Sequence, residues 1–372
     1  MKQAITNAKI FTGEVISIYN TLLIEEGRII SIQNEIPRDV DIIDLGGKNI
    51  SAGLIDIQLN GGYQFYFSQF PHESTLEDMC RACNDFGTTY FLPTLISSTT
   101  ENILKAIETV ASFRQKFPRK GVLGMHLEGP FFNPDKRGAH NKNIVRKPTD
   151  EELRQIVQLG RGVIKLMTIA PEMFTDDQLT FLQENDILLS AGHSNMSYEQ
   201  AQYYFDKGIH LTTHLYNAMS PFTHRAPGMT GAILDNENVY TSLILDGLHC
   251  DYVAARIACR LKKDKLFLIT DSTFLGRRIR HFEWDTFDAT IKNGTYRNEE
   301  GNLAGAAISM VEAVRNAKEN LGISLQHAVE MATSYVGRAI GEEKHIGFIK
   351  EGYPASFFVF DDDLKNYSTL IL

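Results

Sequence analysis

The chain has 372 residues, 43% of them hydrophobic, and a formal net charge of −9, enough for a full-sized core with a modest accessory domain. The acidic balance, with no stripe of Lys and Arg to overrule it, excludes a nucleic-acid surface. No stretch approaches the roughly 18 to 20 apolar residues that cross a bilayer and the first twenty residues sustain no signal-peptide core, so a cytoplasmic protein without a membrane partner is expected.

In chain order, residues 1 to about 50 ("AITNAKIFTGEVISIYNTLLIEEGRIISIQNE") alternate apolar and polar residues between Gly, Asn and Glu turns, which is hairpin chemistry. Eight short β-rich runs follow, at 54–59, 90–96, 122–127, 164–169, 187–191, 209–214, 240–245 and 266–270. Between them lie helical patterns with capping signals: "STLEDMCRACNDFG", opened by Ser74 with Glu77 three positions on, then "PTDEELRQIVQLG", "TDDQLTFLQEND" and "SYEQAQYYFDKG". Cys80 and Cys83 fall in the first of these, and no second Cys/His pair answers them, so buried thiols are expected rather than a disulfide or a zinc knuckle. Helix-forming stretches at 306–319 and 324–340 come next, and from about 344 the strand chemistry resumes in "KHIGFIKEGYPASFFVFDDD".

Strands alternating with helices at this period predict a parallel sheet, and eight near-continuous apolar strands predict a closed (β/α)₈ TIM-like barrel. The competitor, an open doubly wound sheet, lacks its Gly-rich phosphate turn, since "LNGGYQFYF" has neither required spacing. The expected division is a small β-sandwich domain built from both termini, 1–50 and 344–372, beside a barrel domain of 51–343.

A barrel of this kind forms its active site at the carboxyl ends of the strands. Strand one ends at Gln58 and Asn60, strand three at Glu128, strand five runs into His193, strand six ends at His214, strand seven is followed by His249, and strand eight ends at Asp271. A lone His at a strand end is more often structural, and a lone Asp before Ser-Thr is more often a helix cap. Five such residues at equivalent ends of separate strands are better explained together: a Glu and two His suffice to hold zinc or iron with a position left open. His126, two residues before Glu128, is read as a hydrogen-bonded barrel residue, and His210 as structural.

The segments "GLIDIQLNGG", "HLEGPFFNPDKRGAHN", "SAGHS", "THLYNAMSPFTHRAPGMTGAIL", "LILDGLHCD", "LITDST" and "NLAG", in this order, resemble the amidohydrolase superfamily and within it the N-acetylglucosamine-6-phosphate deacetylases. The resemblance spans nearly the whole chain. It implies a homodimeric enzyme of amino-sugar catabolism that releases acetate from a sugar-phosphate amide. It also implies Glu128, His193 and His214 as ligands of one divalent metal, zinc first and iron as the alternative, with Asp271 as catalytic acid/base and His140 as polariser of the acetyl carbonyl. Ala139, His140, Asn217, Ala218, Arg225, His249, Leu303, Ala304 and Gly305 would bind substrate, Arg225 meeting the phosphate across a dimer interface.

The sequence departs from the superfamily where a His-x-His at the end of strand one is replaced by Gln58-Leu59-Asn60, which argues against a second metal because neutral amides bind divalent cations weakly. Two other readings stand beside this one: another amidohydrolase, such as an N-acyl-amino-acid deacylase or a dihydroorotase-like enzyme, and a non-catalytic scaffold. Retained Glu128, His193, His214 and Asp271 speak against the scaffold, which has no physical need of them.

Overall fold

The first fifty residues lay down six short strands, β1 (Lys2–Thr6), β2 (Lys9–Phe11), β3 (Thr21–Glu25), β4 (Arg28–Gln33), β5 (Asp41–Asp44) and β6 (Asn49–Ala52). From there strands and helices alternate: β7 (Leu54–Leu59), α1 (Glu73–Asp85), β8 (Thr88–Ile96), α2 (Thr100–Lys116), β9 (Met125–Glu128), α3 (Asp150–Gly160), β10 (Ile164–Ile169) and α4 (Asp176–Glu184). The alternation continues with β11 (Leu188–Ala191), α5 (Tyr198–Asp206), β12 (Leu211–Thr212), α6 (Gly228–Asp235), β13 (Tyr240–Ile244), α7 (Tyr252–Lys262) and β14 (Leu266–Ile269). The chain then forms β15 (His281–Trp284), β16 (Phe287–Lys292), β17 (Thr295–Asn298), α8 (Met310–Asn320), α9 (Leu325–Glu330), α10 (Ser334–Ala339), β18 (Ser356–Phe360) and β19 (Tyr367–Ile371). This computed structural model describes residues 2–284, 287–292, 294–298 and 300–372.

All eight expected barrel runs carry strands, and they pair in sequence order from β7 to β14 as one parallel sheet. Its two edges close on each other. The Asp271 N–H donates to the Gln58 carbonyl at 2.9 Å and the Asn60 N–H to that of Ser272 at 3.0 Å. Buried Asp56 on β7 accepts from the Thr270 hydroxyl at 2.5 Å and from the Thr270 and Gln58 N–H groups at 3.3 and 3.2 Å. Burial pushes its carboxyl up to about 7, against those hydrogen bonds. Gln58, Asn60 and Asp271 are thereby gathered at the closure.

A belt of polar side chains crosses the barrel interior below the strand ends. Thr94 Oγ1 lies 3.3 Å from His126 Nδ1, His126 Nε2 2.7 Å from Thr168 Oγ1, Thr168 2.8 Å from Thr213, and Thr213 2.6 Å from Ser190. His126 is fully buried, and burial lowers its pKa to about 4, so it is neutral and hydrogen-bonded.

Both termini build a second body: one four-stranded sheet in the order β4-β3-β1-β5 and another in the order β19-β18-β6-β2. They enclose a core of Ile5, Ile10, Leu22, Ile24, Ile29, Ile50, Phe357 and Val359, one inward residue in two along the strands. Among the described residues no helix is long and apolar enough to cross a membrane, and all four cysteines are free and buried.

Three local features differ from the sequence reading. α1 starts two residues earlier than a Ser74 cap would allow, with His72 at the N-cap and no side-chain cap, and Glu73 is held at 2.9 Å by the Ser112 hydroxyl and at 2.5 Å by Lys116. The helix expected over 324–340 breaks between α9 and α10, since the Met331 and Ala332 carbonyls accept from the barrel amides of Leu268 and Ile55 at 2.8 and 2.9 Å and cannot also serve a helix. The antiparallel sheet β15-β16-β17 is an addition between barrel strand and helix; its signal was the Asn293-Gly294 dipeptide that separates β16 from β17. His210 is exposed just ahead of β12 and takes no part in the barrel interior.

Candidate active site

Glu128 is the last residue of β9, while His193 and His214 each stand two residues beyond the ends of β11 and β12. Their facing atoms form a near-equilateral triangle: Glu128 Oε1 is 3.4 Å from His193 Nε2 and 3.2 Å from His214 Nε2, and the two imidazole nitrogens are 3.1 Å apart. All three side chains are buried. His193 Nδ1 lies 2.9 Å from the Lys136 carbonyl, which can only accept, so Nδ1 carries the proton and Nε2 presents its lone pair to the triangle. The Phe132 ring stacks on this imidazole at 4.1 Å and 11° and fixes its plane.

Burial alone would push the Glu128 carboxyl up; its close contacts with His193 and His214 overcome it and hold the group well below the usual carboxylate range. A fourth side chain, Gln58, donates to the same Oε1 at 2.9 Å. Asn60 likewise donates to Asp271 Oδ1 at 2.8 Å, and among the described residues neither its own buried Oδ1 nor His214 Nδ1 has a partner. Burial, then the charge of Glu128, raises the Asp271 carboxyl to about 6.

His193, His214 and Asp271 have φ of 48°, 36° and 49°, the left-handed region that non-glycine residues seldom occupy. Each such residue costs about 1–3 kcal/mol, which the surrounding hydrogen bonds must offset. The strain coincides with the converging side chains.

His140 stands on the loop after β9, within 4.8 Å of Glu128 and His193 by their donor atoms. Its Nδ1 accepts from the Ser97 N–H at 3.3 Å and lies 2.8 Å from the Ser97 hydroxyl, so the Nε2 of the neutral ring bears the hydrogen. Burial lowers its pKa to about 3, helped by neighbouring His193. His249 Nδ1 is 2.7 Å from Asp246 Oδ2, and Asp246 also accepts from the Leu248 and His249 N–H groups at 2.8 Å each.

Asn60, Glu128, His140, His193, His214, His249 and Asp271 line one cavity of about 250 Å³ together with Asn217, Ala218, Ala139, Leu303, Ala304 and Gly305. Arg225 is not among them: it is exposed, on the loop between His214 and α6. Among the described residues the cavity wall contains no lysine or arginine. Tyr66, Ile96, Ile244, Thr273 and Asn302 also line it, and Asp246 braces it, none of which the sequence reading named. An acid three residues before His249 in "DGLH" was the available signal for Asp246. The apolar liners look in sequence like any strand end.

A parallel eight-stranded barrel with acids and imidazoles converging at its strand ends defines a hydrolase-type metal-site scaffold. The amidohydrolase family model matches residues 49–371, and the chain belongs to that family. The N-acetylglucosamine-6-phosphate deacetylase of Haemophilus influenzae is 36% identical, with 100% of this chain and 98% of the relative covered. The N-acetylgalactosamine-6-phosphate deacetylase of Shewanella sp. is 34% identical over 96% of this chain and 92% of its own length. Among solved structures, the N-acetylglucosamine-6-phosphate deacetylase from Pasteurella multocida superposes with a TM-score of 0.94 at 33% identity, covering 100% of this chain and 98% of that one.

Proposed function

We propose that the chain removes the acetyl group from N-acetylglucosamine-6-phosphate, giving glucosamine-6-phosphate and acetate, as a metal-dependent amide hydrolase of amino-sugar breakdown in the cytoplasm. The observation that carries this reading is the Glu128–His193–His214 triangle beside the Asp271 carboxylate in one cavity.

The triangle passes a simple test of fit. Tetrahedral ligation at about 2.0–2.2 Å places donor atoms about 3.3–3.6 Å apart. The three edges here measure 3.1, 3.2 and 3.4 Å, one inside that span and two slightly short of it, and a carboxylate with two imidazole lone pairs is a donor set for zinc or iron. Glu128, His193 and His214 would hold one such cation, zinc first. Gln58 and Asn60 turn amide N–H groups toward the two carboxylates, which speaks for a single ion. When bound, the cation supplies the positive charge that acidifies a water and polarises a carbonyl.

Asp271 takes a proton from the attacking water and delivers it to the nitrogen as the C–N bond breaks, so the water oxygen leaves in acetate and the proton on the amine. His140, neutral with Nε2–H free to donate, stabilises the negative charge that develops on the carbonyl oxygen. Asn217, Ala218, His249, Leu303 and Gly305 receive the sugar. For the phosphate we assign Arg225 of a second copy in a homodimer; its exposure and the absence of lysine and arginine from the described cavity wall support that role. The terminal β unit, 1–50 with 344–372, frames the barrel unit of 51–343 in this reading.

Metal content per chain, measured alongside acetate release with and without a chelator, tests the proposal. About one metal and chelator-sensitive release from N-acetylglucosamine-6-phosphate are expected, with the galacto epimer, the unphosphorylated sugar and an N-acetyl amino acid as comparisons. Release only from the amino acid, or from none, overturns it. Mixing an Arg225→Ala protein with an Asp271→Asn protein is expected to restore activity through hybrid dimers; no restoration removes Arg225 from the neighbouring site.

A further inference from the structure

We propose that Tyr66, Ile96 and Ala304 form the acyl subsite, an apolar wall that receives the acetyl methyl and rejects longer acyl chains. The inference deepens the deacetylase reading and rests on it. Attack on the amide carbon leaves four substituents, and three have destinations: the entering oxygen beside Glu128 and Asp271, the carbonyl oxygen at His140, and the nitrogen with its sugar toward Asn217 and His249. The acyl carbon takes the remaining direction.

Ile96 ends β8 and pairs with Glu128 in the β8–β9 register, and the next residue, Ser97, holds His140 through its N–H. Ile96 therefore lines the cavity beside the carboxylate, one residue before the group that orients the polarising imidazole. Tyr66 (3% exposed), Ile96 (9%) and Ala304 (3%) belong to one apolar cluster with Phe274, Phe282 and Tyr296, separate from the main barrel core. Tyr66 is backed by Phe274 and Phe282 at ring-centroid distances of 6.0 and 4.8 Å, and Phe274 packs on Tyr296 at 6.0 Å. A wall supported by buried aromatic rings recedes little to admit another methylene. Of the other apolar liners, Ile244 ends β13 and Ala218 follows His214, placing both beside the residues assigned to the sugar.

The test compares kcat/KM for the N-acetyl, N-propionyl and N-butyryl forms of glucosamine-6-phosphate, with metal content and thermal melting recorded for every protein. One surplus methylene is expected to lower wild-type kcat/KM about 10- to 200-fold. Ile96→Ala should raise the propionyl-to-acetyl ratio about tenfold or more, and Ile96→Val, which keeps the fold if the larger truncation does not, by a few-fold. Ala304→Val should depress acetyl turnover without gain for longer chains, and Ile244→Ala should leave the acyl ratio where it was. Metal-loaded Ile96 variants that hydrolyse the acetyl substrate with an unaltered ratio overturn the subsite, as does a ratio that follows Ile244 instead. A wild-type protein inert toward all three amides overturns the deacetylase reading and the subsite with it.

Discussion

His126 and His193 both lie inside the barrel, a layer apart, and both are buried imidazoles, yet their surroundings are opposed. His126 has a hydroxyl within 3.3 Å at each ring nitrogen, and those hydroxyls belong to a belt that continues to Ser190. His193 has one nitrogen committed to the Lys136 carbonyl and the other facing a carboxylate and a second imidazole. Residue type does not separate a structural histidine from a functional one. What separates them is whether the neighbours leave a lone pair in demand of a cation, and the strand-end layer does so on strained backbone while the layer beneath it does not.

The largest loss should follow from removing a charge in the upper layer. Glu128→Ala should lose the bound metal and, with it, measurable turnover, read by metal analysis and acetate release; retention of one metal per chain would dissolve the contrast. Next in size is Asp271→Asn, expected to keep about one metal per chain while kcat falls about 10²- to 10⁴-fold. Near-normal turnover in that variant would take Asp271 out of the mechanism.

The lower layer should respond in stability instead. His126→Ala leaves a cavity and two hydroxyls short of a partner, for an expected loss of about 2–4 kcal/mol in denaturant melts, with metal content unchanged. The same histidine should make the fold acid-sensitive. Its folded pKa of about 4 lies below the ordinary 6.5, so below pH 6.5 the unfolded chain binds a proton that the folded chain refuses. Its stabilising effect is present above that value and is lost as pH falls to about 4, amounting to about 3 kcal/mol. His126→Gln should flatten that part of the stability profile, and an unchanged profile would assign the acid sensitivity elsewhere.

A finer effect should be read at Asn60. Asn60 donates to Asp271 and stabilises its carboxylate. Asn60→Ala should therefore move the acid limb of kcat/KM upward by up to about one pH unit, since the base must be ionised to act. A downward shift would contradict the assigned direction of that hydrogen bond.

Much of this was legible in the sequence because it depends on local pattern. Thr149, Thr175 and Ser197 cap α3, α4 and α5 as their spacing announced, and the eight strands follow from runs of Val, Ile and Leu between such caps. Glu128, His193, His214 and Asp271 could be picked out because polar residues at the ends of apolar strands are conspicuous. What depended on distant backbone was not legible. The break before α10 is caused by amides of residues 55 and 268, and nothing local at Met331 or Ala332 announces it. Ile96 and Tyr66 were missed for the converse reason: an apolar residue that lines a cavity and one that fills a core have the same local pattern.

The terminal sheets carry a consequence for the time at which the protein is made. β6 must pair with β18, and the Asn49 side chain reaches Asp362, 313 residues later. At ribosomal rates of about 5–20 residues per second, the leading strands emerge roughly 15–60 s before their partner exists. During that interval the β4-β3-β1-β5 sheet is faced by β2 and β6 alone and lacks the cover of Phe357 and Val359, so a nascent chain halted before residue 356 should engage holding chaperones that the finished chain releases.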